Sequence, residues 1–131
     1  MTWESFNLDR VAQDLIFRHR DSSEALQQVQ KIQTTAALGF VRFWGECRRT
    51  RTNRTPEEDQ IWQDTWVALQ TTLAEAGIEL PNQDAETQAL WTVPYEQQEI
   101  ALAVLAQLSE YMVWWTQRYK KFADVRRIAN G

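Results

Sequence analysis

The sequence predicts an all-α protein, a bundle of four to five helices with a long C-terminal helix. The chain is rich in Ala, Gln, Leu, Glu and Arg, with only three Pro and four Gly among 131 residues, which favours helix over sheet. Apolar residues recur at helical spacing along most of its length, and helix-capping signals stand where the patterns begin. Seven Trp, five Phe and three Tyr provide enough apolar area for one core. We therefore expect residues 1–131 to form a single helical bundle domain.

The stretch NLDRVAQDLIFRHRD predicts the first helix. Asn7 is a candidate N-cap, and the cations of Arg18, His19 and Arg20 are favourable at the carboxyl end of a helix dipole. Since His19 has no second ligand or base near it in sequence, we expect neither metal binding nor acid–base chemistry from it. The predicted buried face consists of Leu8, Val11, Ala12, Leu15 and Ile16.

The stretch DSSEALQQVQKIQTTAALGFVRFWGECRR carries one continuous apolar stripe. Its N-cap is Asp21, Ser22 or Ser23, with Glu24 in the first turn. Cys47 ends the stripe, where a small buried thiol is the expected state. The stripe consists of Leu26, Val29, Ile32, Ala36, Phe40, Phe43, Trp44 and Cys47.

Two pairs of residues could interrupt this stripe. Thr34 and Thr35 could divide the segment into two helices, because threonine is a modest helix former. Gly39 and Gly45 each weaken a helix by about 1 kcal/mol relative to Ala. A glycine within an apolar stripe often marks a backbone that lies close to a neighbouring helix, so we predict close packing at both glycines.

The stretch TPEEDQIWQDTWVALQTTLAEAG has the clearest helix boundaries in the chain. Thr55 and Glu58 form a predicted capping box, and Pro56 takes the first helical position. Gly77 is the predicted C-terminal stop, and Ile78 can fold back as the apolar contact that follows it. The buried face is expected to contain Ile61, Trp62, Trp66, Leu69, Leu73 and Ala76.

The last third of the chain predicts a short helix in DAETQALW and then one long helix from Pro94 to Ile128. At about 1.5 Å per residue the long helix would reach roughly 50 Å. Trp114 is expected to face partly away from its apolar stripe. That stripe consists of Ile100, Ala101, Val104, Leu108, Tyr111, Met112, Trp115, Tyr119, Phe122, Val125 and Ala129.

Several classes of function lack the residues they need. The chain has one His and one Cys, and it contains neither a glycine-rich phosphate loop nor Cys and His residues at the spacing of metal ligands. Because these residues form no catalytic constellation, we expect no enzyme, no cofactor and no metal. Carboxylates are stabilising at the N-terminus of a helix because they interact favourably with the helix dipole. This accounts for the acids at predicted helix starts, which are residues 57–59, Glu96 and Glu99. A single Cys47 excludes an internal disulfide and fits a reducing cytoplasm. Neither a signal peptide nor a membrane-spanning stretch is expected.

Charge is segregated into three blocks, although the net charge is only −4. Residues 1–54 hold nine Lys/Arg and six Asp/Glu, whereas residues 55–117 hold eleven acids and no Lys or Arg. Residues 118–131 hold five basic residues and one acid. Such segregation concerns surfaces and partners rather than fold, and it favours head-to-tail contact between copies of the chain.

Two basic clusters are the candidate binding sites. In RRTRTNRTPEED the acids are explained by the capping box, whereas the arginines have no equivalent structural role. The second cluster lies on the last helix amid Tyr119 and Phe122 and also contains Arg126 and Arg127. Arginine forks suit phosphates, although a solvated charged loop is an equally good account of the first cluster. The candidate nucleic-acid-binding residues are Arg42, Arg48, Arg49, Arg51, Arg54, Arg118, Lys120 and Lys121.

The order of these features resembles the CRISPR effector small-subunit family, in particular the Cmr-type small subunit. QKIQTTAALGFVRFW followed by GECRRTRTNR is similar to the family's central glycine-containing apolar helix and its charged loop. YEQQEIALAVLAQLSEYMVWWTQRYKKFA is similar to the family's last helix. The resemblance implies a non-catalytic subunit that stacks in two or more copies with other subunits of a guide-RNA complex and supports the target strand.

Two other functions also fit the sequence. A helical adaptor or assembly factor would bind another protein through exposed aromatic residues such as Trp3, Trp91 and Trp114, without nucleic acid. A self-associating structural protein without a ligand would use the charge blocks alone. The adaptor predicts association that tolerates salt, whereas backbone binding to nucleic acid predicts association that salt weakens.

Overall fold

The computed structural model describes the backbone of residues 7–48, 54–82 and 87–130, and their side chains except for residues 48, 87, 88 and 122–130. These residues form an all-α bundle without strands, which confirms the predicted fold class. The elements are α1 (Leu8–Arg18), α2 (Ser23–Ala37), α3 (Phe40–Arg48), α4 (Pro56–Ala74), a 3-10 helix (Thr87–Thr92) and α5 (Tyr95–Asn130).

The long helix α5 organises the bundle. It packs most extensively against α1 and α2, while α2 and α3 pack against α4 on the other side of the core. At 36 residues, α5 is about 54 Å long. The largest buried side chains are aromatic, and Trp66 lies against Phe40, Phe43 and Trp44 with ring centroids 5.7 to 6.5 Å apart. The predicted stripe from Leu26 to Cys47 is buried along its whole length, as expected.

The break between α2 and α3 lies at a glycine rather than at the two threonines. Thr34 and Thr35 remain inside α2, and Thr34 donates its hydroxyl hydrogen bond to the carbonyl of Gln30 within the helix. Gly39 has a φ of 123°, a conformation that residues with a side chain rarely adopt, and this turns the chain from α2 into α3. The predicted close packing at Gly39 and Gly45 is wrong, because a Cβ atom at either position would meet open space.

The helix boundaries follow the local capping signals. Ser22 caps α2 by accepting a hydrogen bond from the amide of Ala25, whereas Asn7 precedes α1 in a left-handed conformation without a capping bond from its side chain. Thr55 and Glu58 form both bonds of the predicted capping box. After α4, the amide of Ile78 bonds to the carbonyl of Leu73 and its side chain is buried. This arrangement is the predicted C-terminal stop.

The buried face of α5 differs from the predicted stripe at Ile100 and at Leu105. Ile100 is 42% exposed, whereas Leu105, which the stripe omitted, is fully buried. A rotation of about 100° per residue places Leu105 in line with Ala101 and Leu108, and it places Ile100 at the margin of that face. The predictions for Phe122, Val125 and Ala129 concern side chains that lie outside the described residues.

No helix among the described residues is long and apolar enough to cross a membrane.

Candidate nucleic-acid interface

Arg54, from the first predicted cluster, is held inside the protein. Its guanidinium donates to the Glu46 carboxylate at 3.0 Å and to the Glu46 carbonyl at 3.3 Å, and it lies 3.6 Å from the Asp59 carboxylate. The same group stacks over the Trp62 ring at 4.5 Å, and only a tenth of the side chain is exposed. The expectation that Arg54 has no intramolecular role is therefore wrong, because two acids and a ring lie within its reach.

A polar network next to Arg54 joins α2 to the start of α4. The indole of Trp62 donates to the side-chain carbonyl of Gln28 at 3.0 Å, and the Gln28 amide donates to Glu58 at 2.6 Å. Glu58 also accepts the backbone hydrogen bond of Thr55 in the capping box. That backbone bond is the main cause that lowers the pKa of Glu58, with the Thr55 hydroxyl, Lys31 and Arg54 adding to it against a smaller opposing effect of burial. The network therefore links α2 to α4 within the fold rather than forming a surface for a partner.

An open polar cavity of about 490 Å³ is lined by residues of this network. Its walls combine the cations Lys31 and Arg54 with the acids Glu46 and Glu58, so the charges in it balance. The remaining lining residues are Gln28, Gln30, Thr34, Thr35 and Trp62. Arg54 is already bound to Glu46, which leaves Lys31 as the exposed cation of the cavity wall.

The other members of the first cluster are only partly described. Arg42 is exposed on α3. The side chain of Arg48 and all of Arg49 and Arg51 lie outside the described residues.

Cys47 is buried, as predicted, with its thiol 3.5 Å from the carbonyl of Trp62. Cys47 belongs to the core, and this burial raises the pKa of its thiol well above its ordinary value.

The second cluster is exposed on α5. Arg118, Lys120 and Lys121 all face solvent, and no ion pair joins them to any part of the chain that the structure describes. The guanidinium of Arg118 stacks over the ring of Trp114, one turn earlier, at 4.3 Å from its centroid. In contrast to Arg54, none of these three cations is paired with an acid whose side chain the structure describes.

Four aromatic rings extend from this cluster across to α1 and form what we term the aromatic strip. Trp114 meets Trp115 edge to face at 4.8 Å, and Trp115 lies 6.1 Å from Tyr119 between ring centroids. Tyr119 in turn lies 6.0 Å from Phe17 of α1. The two end rings are the most exposed, with 46% of Trp114 and 48% of Phe17 accessible.

Charged groups border the aromatic strip at three points. Arg20 stacks over the Phe17 ring at 3.8 Å, as Arg118 does over Trp114 at the opposite end. Asp9 accepts a hydrogen bond from the indole of Trp115 at 2.8 Å. The sequence predicts helix capping for Arg20 and no role for Phe17. Phe17 lies off the apolar stripe of α1, and its place beside Arg18 and Arg20 was the signal available in the sequence.

His19, at the C-terminal end of α1, contacts Asp64 of α4. Its Nε2 atom lies 2.8 Å from the Asp64 carboxylate, which also accepts a hydrogen bond from Gln60. Burial raises the pKa of Asp64, but the hydrogen bonds from His19 and Gln60 and the charges of His19 and Arg18 outweigh it, so the pKa lies below its ordinary value. The largely buried His19 side chain therefore has Asp64 as a structural partner.

Among the described residues, no three His, Cys, Asp or Glu side chains come together as metal ligands would. Comparisons of the chain with protein-family models, curated proteins and solved structures gave no match.

Proposed function

We propose that this protein is a non-catalytic helical subunit of a ribonucleoprotein complex, and that it contacts nucleic-acid backbone through Arg118, Lys120 and Lys121. The observation that supports this is the exposure of these three cations without an acidic partner among the described residues. Exposed cations without partners can neutralise phosphates and release counterions. The resemblance noted in the sequence narrows the proposal to a small subunit of a cytoplasmic CRISPR interference complex.

Arg42 is the second part of the proposed contact surface, since it is exposed on α3. Arg48, Arg49 and Arg51 stay predictions. Arg54 is left out of the proposal because its guanidinium is bound to Glu46. The acids of residues 55–117 would repel a phosphate backbone, so we propose that this part of the surface faces other subunits or a second copy.

The proposal is tested by replacing Arg118, Lys120 and Lys121 together with Gln and measuring binding of a single-stranded RNA over a range of salt concentrations. If each cation meets one phosphate, the salt dependence of log affinity should fall by roughly two units, because each contact to a single strand contributes about 0.7. Lys31→Gln, an exposed cation on α2, is the control and should change the slope little. An unchanged slope in the triple variant, with helicity intact, would refute the proposal.

A helical adaptor is the second candidate, and the exposure of Trp91 favours it. Trp91 is 68% exposed and Tyr95, the first residue of α5, is 73% exposed. Large exposed rings of this kind are common in protein–protein hot spots. Trp114 is also half exposed, whereas Trp3 lies outside the described residues. Gel filtration at low and high salt, with and without single-stranded RNA, separates the two candidates, because only the adaptor would associate with another protein in a salt-tolerant manner.

A further inference from the structure

We propose that the aromatic strip of Phe17, Tyr119, Trp115 and Trp114 is a stacking platform for unpaired bases, so that the ligand is single-stranded nucleic acid rather than duplex. The inference rests on the proposed function, since the cations of α5 would hold the backbone of the same strand. It adds a second element, α1, to the binding surface and assigns the contact to bases as well as phosphates.

The exposure of the end rings is the first argument. Trp62 and Trp66 are buried in the core, yet Trp114 and Phe17 leave nearly half of their surfaces in water. An apolar ring gains free energy when another apolar surface covers it. Bases have flat apolar faces, and stacking on aromatic side chains tolerates any base because every base has such a face.

The arginines at the two ends are the second argument. Arg20 and Arg118 each place the guanidinium over an end ring, at 3.8 and 4.3 Å from the ring centroid, and Arg20 also donates a hydrogen bond to the carbonyl of Phe17 at 2.8 Å. A guanidinium has five N–H donors, so Arg20 keeps donors beyond the one in that bond, and such donors can bind phosphate oxygens. Each end of the strip therefore offers a ring for a base and, beside it, a donor group for a phosphate. Lys121 lies one turn beyond Arg118 on α5 and is exposed too.

The distribution of charge along the aromatic strip indicates where the bases of the strand and where its backbone would contact the protein. Asp9, which holds the indole of Trp115, places a negative charge at the middle of the strip. That charge repels phosphate, so bases rather than backbone should cover the middle, with the backbone directed toward the arginines. In a duplex the bases are already stacked on each other, so their faces cannot reach the rings. The strip therefore favours an unpaired strand over a duplex.

The experiment compares three probes with the full chain: a single-stranded RNA of about 12 nucleotides, within the usual site size for single-strand binders, the same strand annealed to its complement, and inorganic polyphosphate without bases. The test variants are Trp114→Leu and Phe17→Leu, which remove a ring and keep apolar volume. Trp91→Leu is the matched control, because this ring is exposed outside the strip. Circular dichroism and thermal unfolding would establish that all three variants fold.

We expect Trp114→Leu to weaken binding of the single strand roughly 5- to 100-fold, as loss of a base stack does elsewhere. Phe17→Leu should act in the same direction, while binding of polyphosphate stays within a factor of about two in both variants. Trp91→Leu should bind all three probes as the unmodified chain does.

Three results would overturn the inference. If both strip variants bind the single strand normally while the triple α5 cation variant does not, the platform is refuted and the proposed backbone contact stands. If the unmodified chain binds duplex or polyphosphate as tightly as the single strand, the bases contribute nothing. If the unmodified chain binds none of the probes at low salt, the proposed function fails and the platform fails with it.

Discussion

The two basic clusters look alike in sequence and differ in structure. In the first, Arg54 is nine-tenths buried and bound to Glu46, with Asp59 and the Trp62 ring within reach. In the second, Arg118 is exposed and touches only the face of Trp114 among the contacts described. The difference lies in the neighbours, since α3 and α4 bring two carboxylates to Arg54 whereas Arg118 has Trp114 one turn before it.

This comparison teaches that a count of cations does not identify a binding surface. An arginine whose partners are supplied by its own fold contributes to stability, and releasing it for a phosphate would break its bonds to partly buried carboxylates. An arginine stacked on an exposed ring is ordered but still has free N–H groups. Substitutions in the two clusters should therefore affect different measurements, and the following predictions are designed to test that difference.

The largest effect is expected from Arg54→Ala. This change removes the two hydrogen bonds to Glu46 and the contact with the Asp59 carboxylate, and it uncovers the Trp62 ring, so we expect a loss of about 3 kcal/mol in the free energy of unfolding. Urea unfolding followed by circular dichroism measures it, and Arg42→Ala, an exposed arginine on α3, should change stability by no more than about 0.5 kcal/mol. Equal effects of the two substitutions would remove the distinction between the clusters.

A smaller effect is expected from the contact between α1 and α4 and should depend on pH. The pKa of Asp64 is lowered in the folded protein, so the carboxylate contributes stability above its ordinary pKa of about 3.9 and loses it as pH falls through the folded value. Asp64→Asn should reduce stability by about 1 kcal/mol at neutral pH and flatten its decline below about pH 4. Urea midpoints measured from pH 6 to about pH 3 test this, and Glu110→Gln, an exposed acid on α5, is the control. An equally steep acid decline in both variants would contradict it.

The smallest effect on stability is expected from Arg118→Gln. Its side chain is exposed and its stacking on Trp114 contributes only about 0.5 to 1 kcal/mol at such sites, so the unfolding midpoint should move little. The salt dependence of single-strand binding should nevertheless fall by about 0.7. Arg54→Lys provides the contrast, since it should lower stability without changing that slope. If the salt dependence changed for Arg54→Lys and not for Arg118→Gln, Arg54 rather than Arg118 would be the arginine that contacts phosphate.

Much of the fold could be predicted because its signals are local. The Thr55–Glu58 capping box, the stop at Gly77 and Ile78, and the stripe that ends at Cys47 depend on residues three to five positions apart. The misplaced break at Thr34 and Thr35 has the same origin, because threonine propensity is weak beside the packing of a helix against α4 and α5. Gly39 carried the stronger signal, a backbone that can take a positive φ.

The sequence alone determined that this protein is a helical bundle, that its charges are segregated, and the ends of the helices that carry capping signals, because backbone hydrogen bonds and amphipathic periodicity act over one or two turns. Only the tertiary structure decided which cations are used internally. The Glu46 and Asp59 contacts of Arg54 depend on how α3 meets α4, and the bond from Trp115 to Asp9 joins residues 106 positions apart. Such contacts are set by packing across the core, and no local pattern around Phe17 or Trp114 specifies that the two rings lie on one continuous strip.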